Sequence, residues 1–168
     1  MHFSGQMNIF YFDYSLCSLG IAEYKGAINR VFFSHRHENI YKKPDDCIVK
    51  ETPLIKTAAK QLEEYFDGKR KIFDLPIAPQ GTEFQLKVWQ ALRFIPYGET
   101  RSYSEIAVNA NNPKACRAVG MANNRNPIVI IIPCHRVIGS NGSLTGFGGG
   151  LELKKNLLEL EAKKCRAV

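Results

Sequence analysis

Residues 130–139 read IIIPCHRVIG, an apolar run that ends in a cysteine beside a histidine. Only the thiolate of cysteine is a strong nucleophile, and a free thiol ionises at a pKa of about 8.5, so a working Cys134 needs a base or a positive field nearby. His135 is the only histidine beyond residue 79, and it can take the thiol proton directly or through a water. A carboxylate that fixes the imidazole tautomer would complete the relay. Glu161 is the first choice, with Glu83, Glu99, Glu105, Glu152 and Glu159 as competitors. The plain alternative is a buried structural thiol.

The elements around this pair must position it. Ile128–Ile132 is a β-branched run ended by Pro133, read as a buried strand or extended core segment that presents Cys134 at the edge of the core. Downstream, residues 139–150 (GSNGSLTGFGGG) hold six of the thirteen glycines, which lets backbone approach a ligand closely. A last helix from Leu151 to Lys163 is expected to turn Leu153, Leu157 and Leu160 inward, with Glu161 one turn beyond Leu157 and Leu158.

Upstream, Thr82-x-x-Gln85 is a capping-box pattern opening a helix to Arg93, with Phe84, Val88, Ala91 and Leu92 on one face. Ser102-x-x-Glu105 opens a second helix ending near Asn109, and Asn112-Pro113 reads as the N-cap and first position of a third. Helix, tight turn, helix is the helix-turn-helix pattern, although many core-building helix pairs share it. On the third helix Ala115, Ala118, Val119 and Ala122 form an expected inward stripe, leaving Lys114, Arg117 and Met121 on other faces. Gly120 and Asn124 keep its outer surface small, so that it could press on a flat partner.

The first half reads differently. Met7–Tyr14, Cys17–Tyr24 and Ala27–Ser34 are β-rich runs, the last two joined at Lys25-Gly26, and residues 36–51 read as loop. Thr52 then caps a helix with Pro53 at its first position and Gly68 just past its end. A Pro-rich connector, LPIAPQG, separates the halves. The expected class is α/β (α+β): a small N-terminal β-sheet plus helix domain over 1–79, then a mostly helical domain over 80–168 with a helix-turn-helix and an active-site cysteine loop.

Composition narrows the function classes. The 168 residues are 45% hydrophobic, enough for one good core or two small ones. The net charge of +7 is uneven: +1 over residues 1–79 and +6 over 80–168, so the second half is the one suited to meet a polyanion. Five cysteines at scattered spacings support neither a disulfide framework nor a CxxC zinc pattern, and Cys17, His35, His37 and Cys47 match no standard metal spacing. No metal and no cofactor is called for. No stretch reaches the roughly 18 apolar residues of a membrane span, and the N-terminal residues lack signal-peptide grammar, so a cytoplasmic protein without a membrane partner is expected.

Five segments carry a resemblance. GTEFQLKVWQAL, IPYGETRSYSEIA, NPKACRAVGMANNRNP, IPCHRVIG and GFGGGLELKKNLLELE stand in the order and spacing found in O6-alkylguanine-DNA alkyltransferases, the methylated-DNA-protein-cysteine methyltransferases. The match runs from Gly81 to Glu161, and residues 1–79 resemble more loosely the family's variable, RNase H-like N-terminal domain.

The resemblance implies a single-turnover DNA repair protein, a monomer on double-stranded DNA, that flips an O6-alkylguanine into a pocket and takes the alkyl group onto a cysteine. By position, Cys134 would be the acceptor, His135 the base acting through water, and Glu161 the carboxylate holding it. Tyr103 would hydrogen-bond guanine N3, Asn126 would brace the turn before the active-site loop, and Phe147, Gly148 and Gly149 would line the pocket. Arg117 would fill the gap left by the flipped nucleotide, with Ser102, Tyr103, Lys114, Ala118 and Asn123 also on the DNA side. Many relatives carry Tyr then Ser or Ala where Phe147 and Gly148 stand. A helix-turn-helix alone would be placed in the major groove, whereas the family uses the minor groove, which small residues suit. O4-alkylthymine is a further possible substrate. The competing readings are an alkyltransferase-like module that binds damage without repairing it, a Cys-His hydrolase, and a transcription factor.

Overall fold

A computed structural model describes residues 6–34 and 47–165 and divides the chain into two compact units, Met1–Pro79 and Gln80–Val168. His35 and His37 lie outside the described residues.

In the first unit, strands β1 (Met7–Asp13), β2 (Ser18–Tyr24) and β3 (Ala27–Phe33) form an antiparallel meander, and β4 (Cys47–Val49) adds parallel to β1, giving the order β3-β2-β1-β4. Lys25 (φ 49°) and Gly26 (φ 76°) both adopt the left-handed conformation that a two-residue hairpin turn needs. Strand β4 falls where a loop was expected. Three residues are too few to show a period, and what fixes them is pairing with β1, with Cys47 buried and Val49 exposed. Helix α1 (Pro53–Phe66) starts as read: the Thr52 hydroxyl accepts from Ile55 N at 3.2 Å. Its buried stripe, Ile55, Ala58, Ala59, Leu62, Tyr65 and Phe66, packs against β2 and β3.

The second unit stacks helices α2 (Glu83–Arg93), α3 (Tyr103–Asn109) and α4 (Cys116–Asn124) on one another. Both predicted capping boxes form, Thr82 with Gln85 and Ser102 with Glu105. Trp89 is buried at their centre and donates Nε1–H to Ala122 O at 2.9 Å. Gly81 lets the connector cross the face of that indole, because a Cβ there would stand 2.6 Å from the ring.

The third helix departs from expectation. Asn112 and Pro113 close a turn, with Ala115 N–H on Asn112 O at 3.0 Å, and α4 begins only at Cys116 without a side-chain cap. Ala118 is exposed, and the buried face is Val119, Ala122 and Asn123, rotated from the stripe read off the alanines. Small side chains weight a periodicity too weakly to fix its phase. Two short strands, β5 (Arg101–Ser102) and β6 (Val137–Ile138), pair in parallel and set the start of α3 beside the chain leaving Cys134. Helix α5 (Leu151–Cys165) closes the unit with Lys154, Leu157 and Glu161 buried, while Leu153 and Leu160 are only half-buried.

Candidate active site

Ile128–Ile132 makes no strand. The run folds into overlapping turns: Ile132 N–H meets Ile128 O, and Ile131 N–H meets Val129 O, each at 2.9 Å, with Ile130 at φ 71°. A β-branched residue in that region costs about 1–3 kcal/mol and persists only where its surroundings force it. Here Ile130 is buried and Asn126 binds both ends of the turn. Its Oδ1 accepts from Ile128 N–H at 3.0 Å, and its Nδ2–H donates to Ile132 O at 2.8 Å and reaches Cys134 Sγ at 3.1 Å. A second three-residue turn at Pro133 (Cys134 N–H to Ile132 O, 2.9 Å) leads into a single 3-10 turn, Cys134–Arg136, that buries all three side chains.

His135 Nε2 lies 2.8 Å from Glu161 Oε1, and neither side chain is exposed. Arg136 grips the same carboxylate from its other side, Nε to Oε2 at 2.9 Å and Nη2 to Oε1 at 3.0 Å. Gly98 N–H adds a bond to Oε2 at 3.0 Å, while Arg136 Nη1 donates to Ile95 O at 2.7 Å. The competing carboxylates are engaged or placed elsewhere: Glu83 with Lys87, Glu99 with Arg101, Glu105 in its capping box, Glu159 with Lys155, and Glu152 exposed.

These contacts set the protonation states. Burial pushes the Cys134 thiol up, against the Asn126 hydrogen bond and the Lys154 charge. Burial also pushes the His135 imidazole down, against the pull of Glu161. For Glu161 burial acts upward, but His135 and Arg136 together overcome it and hold the carboxyl down to about 2. At neutral pH the site therefore rests as a thiol, a neutral imidazole and a carboxylate. Giving Nε2–H to Glu161 leaves the lone pair on Nδ1, the atom able to accept a proton.

Lys154, fully buried, ties the site together. Its ammonium donates to Val137 O at 2.6 Å and Thr145 O at 2.8 Å; burial lowers its pKa, and ionisation of Cys134 to the thiolate opposes that. Thr145 O also accepts from Tyr103 Oη at 3.1 Å, so the glycine-rich segment, α5 and the start of α3 meet at one carbonyl. The Phe147 ring stands edge-on to His135 with centroids 6.4 Å apart. Gly148 is exposed with open space where a Cβ would go, and Gly149 is half-buried.

Of the residues expected on the DNA side, Lys114, Arg117 and Ala118 are exposed. Ser102 spends its hydroxyl on the α3 cap. Asn123, also expected on the DNA side, is buried on the face of α4 that carries Val119 and Ala122, at 7% exposure. Arg136 and Lys154 were not singled out from the sequence. Lys154 sits two turns before Glu161, a spacing that places both on one face, but a leucine-rich helix draws attention to its leucines.

Comparison with known proteins agrees in both units. Residues 83–163 match the family model described as 6-O-methylguanine DNA methyltransferase, DNA binding domain, and residues 15–79 match its ribonuclease-like domain. A methylated-DNA–protein-cysteine methyltransferase of Methanosarcina mazei is 56% identical over 84% of this chain and 88% of its own. The constitutive one of Bacillus subtilis is 51% identical over 87% and 90%. Among solved structures, OGT of Mycobacterium tuberculosis in complex with DNA is 42% identical with a TM-score of 0.80, covering 94% of each chain. The family models together span most of the sequence, both relatives align over nearly their whole lengths, and the fold agrees: this chain belongs to the 6-O-methylguanine DNA methyltransferase family.

Proposed function

We propose that this protein repairs DNA by moving the alkyl group of O6-alkylguanine onto Cys134. The observation that carries the reading is the buried constellation in which Asn126 touches Cys134 Sγ and Glu161 holds the neighbouring His135. His135 takes the thiol proton through a water, with Glu161 stabilising the imidazolium. The thiolate attacks the sp³ carbon of the alkyl group, forming the S–C bond as the C–O6 bond breaks. The electron pair leaves on guanine, which gains a proton from the site. The soft sulfur suits displacement at saturated carbon. The product thioether has no carbonyl for water to attack, so each molecule reacts once.

Tyr103 donates to guanine N3 and helps the base depart. Asn126 braces the turn that carries Cys134, and Phe147, Gly148 and Gly149 line the slot, where Gly148 leaves room. Arg117 occupies the vacated place in the duplex while Lys114 and Ala118 lie along the minor groove. Flipping costs a few kcal/mol and less for a damaged pair, which contributes selectivity. The division of labour gives 80–168 the DNA binding and chemistry and 1–79 a supporting part. The protein acts as a cytoplasmic monomer. Among the described residues no helix is long and apolar enough to cross a membrane, and none of their His, Cys, Asp and Glu gather in threes as a metal would need.

Intact-protein mass after incubation with a duplex holding one O6-methylguanine tests this reading. One added methyl on the peptide bearing Cys134, saturating at one per protein and lost in Cys134→Ser, is expected. A protein that binds the duplex and gains no mass would instead be a damage-binding module.

A further inference from the structure

Arg136 is a buried cation to which the chemistry proposed above gives no part. It is 6% exposed, and the carboxylate it grips is fully buried. Nε donates to Glu161 Oε2 at 2.9 Å and Nη2 to Oε1 at 3.0 Å, a two-point grip, while Nη1 donates to Ile95 O at 2.7 Å. The Tyr97 ring lies against it, with the centroid 5.6 Å from the guanidinium carbon. A buried ion pair is a weak way to fasten two elements, because apolar side chains of similar volume often hold as well or better. Its presence calls for a use beyond fastening.

The geometry supplies one. Arg136 and His135 are consecutive in one turn, yet both reach the same oxygen: Glu161 Oε1 lies 2.8 Å from His135 Nε2 and 3.0 Å from Arg136 Nη2. Gly98 N–H shares Oε2 with Arg136 Nε. The imidazole therefore meets an anion that a guanidinium already compensates. Among the described residues, the ionisable groups around it are Glu161 and Lys154 from α5, with Arg136 and Cys134 from its own turn. Helix α2 also packs against this turn, but its Glu83, Lys87 and Arg93 are exposed. Burial, Arg136 and Lys154 disfavour the imidazolium, against the pull of Glu161.

We propose that Arg136 is a positioning residue for the proton transfer: by sharing the Glu161 carboxylate it keeps His135 neutral until the thiol proton arrives. This deepens the reading given under Proposed function and rests on it. A histidine facing a lone buried carboxylate is drawn to take a proton from solvent, because the imidazolium then compensates the anion. An imidazole protonated beforehand has no lone pair at Nδ1 to offer, and the thiol keeps its proton. With Arg136 in place the anion is compensated already, and the proton the imidazole receives is the one leaving Sγ through the water. Arginine suits the task because its charge does not titrate and its fork sets two donors on one carboxylate and a third on Ile95. A lysine would supply the charge at one point only.

Single-turnover transfer from a duplex holding O6-methylguanine is measured from pH 5 to pH 9 for wild type, Arg136→Gln and Arg136→Lys, with urea midpoints of each from pH 8 to pH 5.5. In Arg136→Gln the acid limb of the rate profile is expected to move up by about one pH unit or more, so that the rate suffers far more at the acid end than at the alkaline end. Arg136→Lys keeps the charge and should leave the limb near its wild-type place, whatever it loses in overall rate. The urea midpoints need no substrate. In wild type the unfolded chain takes up the His135 proton first, so the midpoint falls as pH drops through about 6.5. In Arg136→Gln the folded chain takes it up more readily, and that fall should flatten or reverse. A folded Arg136→Gln that slows by one factor at every pH overturns the inference and leaves Arg136 a fastener between Ile95 and α5. Arg136→Lys with its limb displaced by about a full unit also overturns it, and decides the matter if Arg136→Gln does not fold. A wild type that takes no methyl overturns the functional reading; the urea midpoints then judge Arg136 alone, and an equal fall in Arg136→Gln and wild type overturns its hold on His135.

Discussion

Oε1 of Glu161 stands 2.8 Å from Nε2 of His135, and both groups are sealed from solvent. The carboxylate does two things at once: it orients the imidazole, and it neutralises Arg136 in the interior. Glu161→Gln keeps the shape and removes the charge, so His135 loses its imidazolium partner and Arg136 is left as an uncompensated buried cation. Transfer from O6-methylguanine is expected to slow about a hundredfold or more, and urea unfolding should show a loss of about 3–5 kcal/mol. A variant that unfolds more easily yet reacts at the wild-type rate would limit Glu161 to a structural part.

The same groups make the fold sensitive to acid. Burial lowers the His135 pKa in the folded protein, so below about 6.5 the unfolded chain binds a proton that the folded one resists, and stability falls with pH. Glu161 repeats the effect lower down: with its folded value near 2 against an ordinary 4.5, its contribution is complete above 4.5 and is lost as pH falls toward 2. That second loss is on the order of 3 kcal/mol. Urea midpoints measured from pH 8 to pH 3 should decline in both windows, and Glu161→Gln should flatten the lower one. A midpoint that rises on acidification would contradict both assignments.

Much of this site was legible because it rests on local chemistry. Thr82 with Gln85 and Ser102 with Glu105 announce their helices within four residues, and Cys134-His135 announces a nucleophile and base by adjacency. The misreadings arose where distant partners decide. Asn112-Pro113 is a sound N-cap pair, but its turn closes on Ala115 and the helix waits until Cys116. Ile128–Ile132 has strand composition, yet Asn126 bonds to Ile128 and Ile132 and bends the run into turns. β4 exists because β1 offers an edge. The phase of α4, which decides whether Asn123 faces out or in, follows from packing of Val119 and Ala122 that small residues do not advertise.

Lys154 provides a test of the field around the thiol. Its ammonium is the cation whose charge favours the Cys134 thiolate, and it also fastens Val137 to Thr145. Lys154→Met preserves length and apolar stem but removes charge and donors, leaving two carbonyls to find other partners. The pH profile of single-turnover transfer should shift toward higher pH, because the thiol is then harder to ionise. Stability should fall by about 1–3 kcal/mol through the lost bonds. A destabilised variant with an unmoved pH profile would make Lys154 a fastener and not an electrostatic partner.

Arg117 separates base flipping from alkyl chemistry. It is exposed on α4, away from the buried face that carries Val119, Ala122 and Asn123, and it makes no part of the Cys134 constellation. If its guanidinium holds the duplex open by filling the vacated place in the stack, Arg117→Ala loses that support only when there is a stack to fill. Reaction with an O6-alkylguanine in duplex DNA should then drop at least tenfold, whereas reaction with the free alkylated base, which needs no flipping, should change less than twofold. Because an exposed side chain contributes little to folding, melting should stay within about 0.5 kcal/mol of wild type. Equal losses on both substrates would place Arg117 in the chemistry of the pocket; equal retention would assign the opening of the duplex to other residues on the α4 surface.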